Sequence, residues 1–184
     1  PTRVEGKFGS ALRFAGGGTG QQVVIGADNV ATDLSGPKTF SFWTRLSSDT
    51  YSNGFMTIDN DTSGNRWYLD DHNQAGNLRM AQYGGGASGQ LFSLDAGLNY
   101  DGDQWQHVLL ADDGSGTDGV RIYVDGQLVT TADSFDYSGL LSGSVLRLGV
   151  VKHAVDYHYL KGDLDDFGVW RVALSDPQVK ALYN

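Results

Sequence analysis

The chain contains no cysteine, which removes disulfides, thiol nucleophiles and thiolate metal sites together. Glutamate is almost missing as well: of 22 acidic residues, 21 are aspartate and one, Glu5, is glutamate. Glycoside cleavage needs two carboxylates flanking the scissile bond. The available pairs are Asp59/Asp61, Asp101/Asp103, Asp112/Asp113 and Asp163/Asp165, and all but the last fall in turn-like sequence where short Asp side chains bond nearby backbone. Cations are outnumbered, 13 Lys and Arg against those 22 acids for a net charge of −9, so the basic footprint of a nucleic-acid partner is absent. No apolar run has the length of a membrane span, so no membrane insertion is expected. No signal peptide opens the chain, which reads as a module cut from a larger protein. Gly-x-Ser-x-Gly elbows, phosphate loops ahead of helices and the Asp-x-Asp-x-Asp-Gly calcium loop are also missing.

What is abundant is glycine, with 26 residues against three prolines. Together with the aspartates this reads as strands joined by tight turns. Candidate strands are Ala11–Phe14, Gln21–Ile25, Thr39–Leu46, Gly54–Asp59, Arg66–Asp70, Asn77–Tyr83, Gly89–Leu94, Gln104–Ala111, Gly119–Val124, Gln127–Thr131, Val145–Val150 and Leu164–Arg171. Asp125-Gly126, between two of them, is a two-residue hairpin signal. Near the end, Ser175 suits a helix cap, Asp176 and Pro177 suit a first turn, and Val179 and Leu182 share a face. No linker, charge block or repeat divides residues 1–184, so one module is expected. Many short strands at this spacing predict an all-β antiparallel sandwich.

Four segments in order, Lys7-Phe-Gly-Ser-Ala-Leu-Arg-Phe14, Thr39-Phe-Ser-Phe-Trp-Thr-Arg45, Trp105-Gln-His-Val108 with Val120–Val129, and the closing Asp165-Asp-Phe-Gly-Val-Trp-Arg-Val-Ala-Leu-Ser175 run, resemble laminin-G-like, concanavalin A-like lectin domains. The resemblance implies a jelly roll with a short C-terminal helix, a secreted or cell-surface setting, and one structural calcium. Asp165 and Asp28 are the candidate calcium ligands. Asp165 shares a strand face with apolar residues, where a carboxylate needs a metal or hydrogen-bond donors such as backbone amides. Relatives often carry acidic residues before the second strand, where this chain has Gly16-Gly-Gly-Thr-Gly-Gln-Gln22. Related glucanases use a Glu-x-Asp-x-x-Glu strand, which one glutamate cannot supply.

Strand parity supplies the candidate ligand site. Arg66, Tyr68 and Asp70 lie opposite Trp67 and Leu69; Arg79 and Tyr83 opposite Leu78 and Met80; Arg121 and Tyr123 opposite Ile122; Arg147 opposite Leu146 and Leu148. Rings stack on sugar C–H surfaces and guanidinium forks take hydroxyls, carboxylates or sulfates, so Tyr68, Arg79, Tyr83, Arg121 and Tyr123 would suit a glycan if their strands are neighbours. The alternative is a solvated face of Arg–Asp pairs. His153, Tyr157 and His158, in the loop 152–159, are further candidates; the alternative there is a plain connection. These features predict a non-catalytic carbohydrate-binding module for a polysaccharide or glycan, tethered to other domains of a secreted bacterial protein. Two alternatives stay open: an adhesion or protein-interaction module, and a polysaccharide lyase built on His107, whose Gln106-His107-Val108 context resembles a lyase element.

Overall fold

The computed structural model describes residues 1–26, 33–47, 53–60, 64–71, 77–83, 89–99, 104–134, 137, 143–152 and 157–184, with backbone alone at 90–94 and 157. Among these, alternating apolar residues build two stacked sheets. The first runs β1 (Thr2–Glu5), β2 (Ser10–Ala15), β15 (Lys161–Trp170), β4 (Lys38–Leu46), β9 (Gln106–Asp112), β10 (Val120–Val124), β11 (Gln127–Ala132). The second runs β3 (Val23–Ile25), β12 (Val145–Leu148), β5 (Gly54–Asp59), β6 (Arg66–Asp71), β7 (Asn77–Tyr83), β8 (Gly89–Asp95). A ribbon of β13 (Val150–Lys152) and β14 (Tyr157–Tyr159) stands apart, and α1 (Asp176–Tyr183) ends the chain. Every recorded pairing is antiparallel. Insertion of the last strand between β2 and β4 is the Greek-key closure of a jelly roll.

The core lies between the sheets. Phe14, Phe40, Phe42, Val108, Ile122 and Leu164 of the first sheet meet Met56, Ile58, Trp67, Leu69, Met80 and Leu146 of the second. Phe40 reaches Trp67 at 5.7 Å between ring centroids, and Phe42 reaches Phe55 at 5.3 Å. Each such side chain removed from water contributes about 1.5–3 kcal/mol.

The outer faces are also partly covered. On the first sheet α1 buries Leu109, Ala111 and Tyr123 with its Val179 and the preceding Leu174. The helix starts where expected: Gln178 Oε1 accepts the Ser175 backbone N–H at 2.9 Å, and Asp176 and Pro177 fill the first turn. This cover explains why β9 is buried on both parities. The Asp125-Gly126 hairpin also forms as expected, with φ of 50° and 72° at the two turn residues.

On the second sheet the β13–β14 ribbon provides the cover. The sequence suggests one strand over Val145–Val150; it breaks at Gly149, whose φ of 77° turns the chain out of the sheet. A Cβ there would strike the Phe14 ring. β13 then crosses over β5, where the Thr57 hydroxyl donates to the Val150 carbonyl at 2.9 Å and accepts the Lys152 N–H at 3.2 Å. Part of the expected loop 152–159 is therefore strand. The ribbon's close approach requires Gly54, where a Cβ would sit on the Val151 nitrogen and the His158 carbonyl oxygen. Gly54→Ala is expected to lower unfolding free energy by about 1–3 kcal/mol, the usual cost of overpacking. A urea midpoint equal to that of the unaltered protein would contradict this.

Candidate functional site

β12, β5, β6 and β7 are adjacent, and their register sets Tyr68 opposite Ala81, Asp70 opposite Arg79, and Arg66 opposite Tyr83. Arg66, Tyr68, Asp70, Arg79, Tyr83 and Arg147 thus share the outer face, as period-2 geometry requires. Arg79 grips Asp70 as a fork, Nε to Oδ1 at 2.9 Å and Nη2 to Oδ2 at 2.5 Å. Its guanidinium lies 5.2 Å from the centre of the Tyr68 ring. Tyr68 stacks on Tyr83 with centroids 6.0 Å apart and planes 6° from parallel, and the Arg66 guanidinium lies 5.4 Å from Tyr83. The result is a row of guanidinium, ring, ring, guanidinium.

The ribbon adds charges that parity in the second sheet could not reveal. Arg147 Nε donates to Asp59 Oδ2 at 2.8 Å, Lys152 Nζ stands 3.6 Å from Asp59 Oδ1, and His158 Nδ1 stands 3.7 Å from Asp70 Oδ2. Among the described residues this face carries the cations Arg66, Arg79, Arg147 and Lys152 and the carboxylates Asp59, Asp70 and, at the strand end, Asp95.

Burial sorts the candidates. Tyr68 and Asp70 are fully buried and Arg79 is 8% exposed, beneath Val151 of the ribbon. Tyr68 is therefore support for Tyr83 and not a sugar platform; burial drives its phenol far above the usual range. Arg66, Tyr83, Lys152 and His158 are half-exposed and form the accessible edge.

Arg121 and Tyr123 are not part of this face. They lie on β10 of the other sheet, against α1, where Arg121 Nη2 donates to the Leu174 carbonyl at 3.0 Å and the Tyr123 hydroxyl donates to Asp176 at 2.6 Å. Burial, followed by that hydrogen bond, pushes the Tyr123 phenol up to about 12. They anchor the helix. His153 and Asp28 lie outside the described residues, as does the Tyr157 side chain.

Asp165 takes a backbone amide on each oxygen: Phe8 N–H to Oδ2 and Asp166 N–H to Oδ1, both at 2.9 Å. Each oxygen keeps a second lone pair. Among the described residues no group of three or more His, Asp or Glu is placed to hold a metal.

His107 is 1% exposed and its Nε2 lies 2.7 Å from the Ser41 hydroxyl. Trp43 covers the ring at 5.1 Å and Tyr183 of α1 at 6.1 Å. Burial pushes the imidazole down to about 4, so it is neutral at pH 7. Nothing in this arrangement gives a substrate access to the ring.

A two-sheet antiparallel jelly roll is the architecture of concanavalin A-like sandwich domains. The chain belongs to the Concanavalin A-like lectin/glucanases superfamily: its Laminin_G_3 family model matches residues 16–180. Among solved structures, domain 4 of AbnA, a GH43 extracellular arabinanase from Geobacillus stearothermophilus solved with arabinotriose, aligns with a TM-score of 0.72 at 19% identity, covering 100% of this chain and 81% of that one. A botulinum neurotoxin type C structure, from work on cell entry dependent on two ganglioside molecules, aligns at 0.66 and 15% identity over 99% of this chain and 44% of that one. The botulinum neurotoxin DC binding domain in complex with SialylT aligns at 0.68 and 16%, over 99% and 44%. The chain thus spans under half the length of these neurotoxin chains. No curated protein sequence matches it.

The His107 ring gives stability a specific pH dependence. Its folded value of about 4 lies below the ordinary 6.5, so the unfolded chain takes up this proton first as pH falls. Stability from this group is complete above 6.5, declines between 6.5 and 4, and levels off below. Between pH 8 and pH 5 the decline is roughly 2 kcal/mol. His107→Gln should show a correspondingly flatter urea-stability curve over that interval; parallel curves would refute the assignment.

Proposed function

We propose that the chain is a non-catalytic carbohydrate-binding module, carried with other domains on a secreted or cell-surface protein, that holds a glycan at the Arg66–Tyr83 edge of the second sheet. The observation that carries this is the half-exposed Tyr83 ring, fixed by stacking on buried Tyr68 beside the Arg66 guanidinium. A ring already held in place loses little freedom when a sugar packs on it, and guanidinium donors beside it select hydroxyl or acidic substituents. His158 and Lys152 on the ribbon extend the same edge. The arabinotriose complex of the arabinanase domain and the ganglioside dependence of the neurotoxin support a glycan as the ligand.

Catalysis is not part of the proposal. On the described part of the face, Asp59 and Asp70 are each held by a guanidinium and Asp95 stands exposed at the strand end, while Glu5 is exposed on edge strand β1. Neither arrangement offers the paired acid and nucleophile of glycoside cleavage. Calcium at Asp28 and Asp165 rests on the family resemblance and on the apolar strand face of Asp165; a lower melting midpoint in EDTA supports it and an unchanged one removes it.

Affinity gel electrophoresis against arabinan, xylan and polygalacturonate, with calorimetry on arabinotriose, tests the glycan edge. Tyr83→Ala is expected to weaken binding at least about tenfold, a change of about 1.4 kcal/mol, while Tyr83→Phe retains it. Unchanged retention of Tyr83→Ala on every glycan that the unaltered module binds would overturn the proposal. So would time-dependent release of product.

A further inference from the structure

The outer face of the seven-stranded sheet carries a second constellation, outside the residues packed on α1. β2, β15 and β4 are neighbours, and their register sets Arg13 opposite Asp163 and Asp163 opposite Arg45. Arg13 holds Asp163 with Nε to Oδ1 at 2.8 Å and Nη2 to Oδ2 at 3.0 Å. Arg45 places Nε and Nη2 on the remaining side of Oδ2, at 3.1 and 2.7 Å. Lys161, two residues before Asp163 on the same strand and so on the same face, is exposed. These four groups line a cleft of about 410 Å³, with Thr2, Gln21 and Ser47 adding polar atoms.

The charge count is what makes this more than a sheet clamp. Among the described residues, one carboxylate between two guanidinium groups leaves one positive charge uncompensated, and Lys161 adds a second. A clamp between strands needs one arginine; a second and a nearby lysine add repulsion unless an anion joins them. The burial gradient points the same way. The Asp163 side chain is 3% exposed, Arg45 22% and Arg13 53%, so the carboxylate is the floor and the guanidinium groups are the walls. Hydrogen bonds from Arg13 and Arg45 outweigh the burial that would otherwise raise the Asp163 carboxyl, and hold it below the usual carboxylate range. The floor is thus an anion that fixes both forks. Trp105 sets the plane of the second fork from the side, with the Arg45 guanidinium 4.7 Å from its ring centre. Each arginine uses Nε and Nη2 on Asp163 and keeps Nη1 for another acceptor.

We propose that this cleft binds the oxyanion of an acidic sugar residue, the carboxylate of a uronic acid or the sulfate of a sulfated sugar. The Nη1 groups that Arg13 and Arg45 keep can each donate to one oxygen of a carboxylate or of a sulfate, and Lys161 supplies a point charge to either. The volume falls in the lower part of the roughly 300–1,000 Å³ range of small-molecule sites, the size for one sugar residue and not a chain. The cleft is separate from the Tyr83 edge and stands whether or not that edge binds glycan.

Calorimetry on the whole chain in 50 mM and 150 mM NaCl provides the test. The probes are trigalacturonate, its methyl ester, a sulfated chondroitin tetrasaccharide and arabinotriose. Expected are binding of an acid-bearing probe at least about tenfold tighter than the methyl ester, weakened by salt, and a loss of about tenfold in Lys161→Ala and in Arg13→Ala. Preference between trigalacturonate and the chondroitin probe identifies the oxyanion. Lys161 makes no hydrogen bond in the Asp163 clamp, so Lys161→Ala carries the test even if Arg13→Ala fails to fold. Tyr83→Ala is expected to leave the acid-dependent increment intact. Equal affinity for trigalacturonate and its ester together with no binding of the chondroitin probe, or undiminished binding in Lys161→Ala, would overturn the cleft; loss of arabinotriose binding in Tyr83→Ala would bear on the other site alone.

Discussion

The seven-stranded sheet is registered on β15. Its ten residues enter between β2 and β4, so the last strand of the chain joins the first strands to the middle of the sheet. Such pairing is long-range and entropically costly to close, and side chains on both faces of β15 oppose that cost. Leu164 enters the core, while Asp163 ties Arg13 of β2 to Arg45 of β4 across the strand. Asp165 takes the Phe8 amide and so fixes the turn between β1 and β2; Gly6 is needed there because a Cβ would fall on the carboxylate. The bulge between Asp165 and Gly168, with Asp166 at φ 47°, lets the strand resume pairing with β4 and deliver α1 to the outer face.

That delivery creates the main departure from simple alternation. An antiparallel sheet with one wet face shows polar residues at every second position. Here α1 covers part of one outer face and the β13–β14 ribbon part of the other, so His107 and Tyr123 are buried on one side and Tyr68, Asp70 and Arg79 on the other. Polar groups under these covers find partners in place, Tyr123 on Asp176, His107 Nε2 on Ser41 and Arg79 on Asp70, while His107 Nδ1 has none among the described residues. A sheet face that carries arginines can therefore be structural over much of its area and still leave an open edge at Arg66 and Tyr83.

Much of the fold was legible because its signals are local. Gly54–Asp59 and Asn77–Tyr83 appear with the limits that turn residues and alternation give, and Ser175 with Pro177 marks the helix start. The strand β1 and the β13–β14 ribbon were not legible. The ribbon depends on Gly54 and Gly149 being bare, which is a fact about what passes over them and not about their neighbours in sequence. The site divides in the same way. Parity correctly grouped Arg66, Tyr68, Arg79, Tyr83 and Arg147, since it reports which side of a strand a residue takes. It reports neither which sheet the strand joins nor what later covers it. Arg121 and Tyr123 therefore shared the pattern without sharing the face, and Tyr68 looked like an open ring although Val151 lies over it. The cleft was missed because Arg13, Arg45 and Lys161 come from three strands that only β15 brings together.

The same separation of global from local charge governs what such a surface can hold. At net −9 the chain repels an extended polyanion beyond contact range, but the Debye length in physiological salt is about 8 Å, so distant aspartates act weakly on a bound group. Within that distance the cations beside Asp163 dominate, partly desolvated and aimed by a buried carboxylate. A short acidic residue meets the local excess and little of the global repulsion; a long polyanion meets both. Selectivity for an isolated acidic substituent over a continuous charged chain thus follows from placing few cations in concave positions on an otherwise acidic protein.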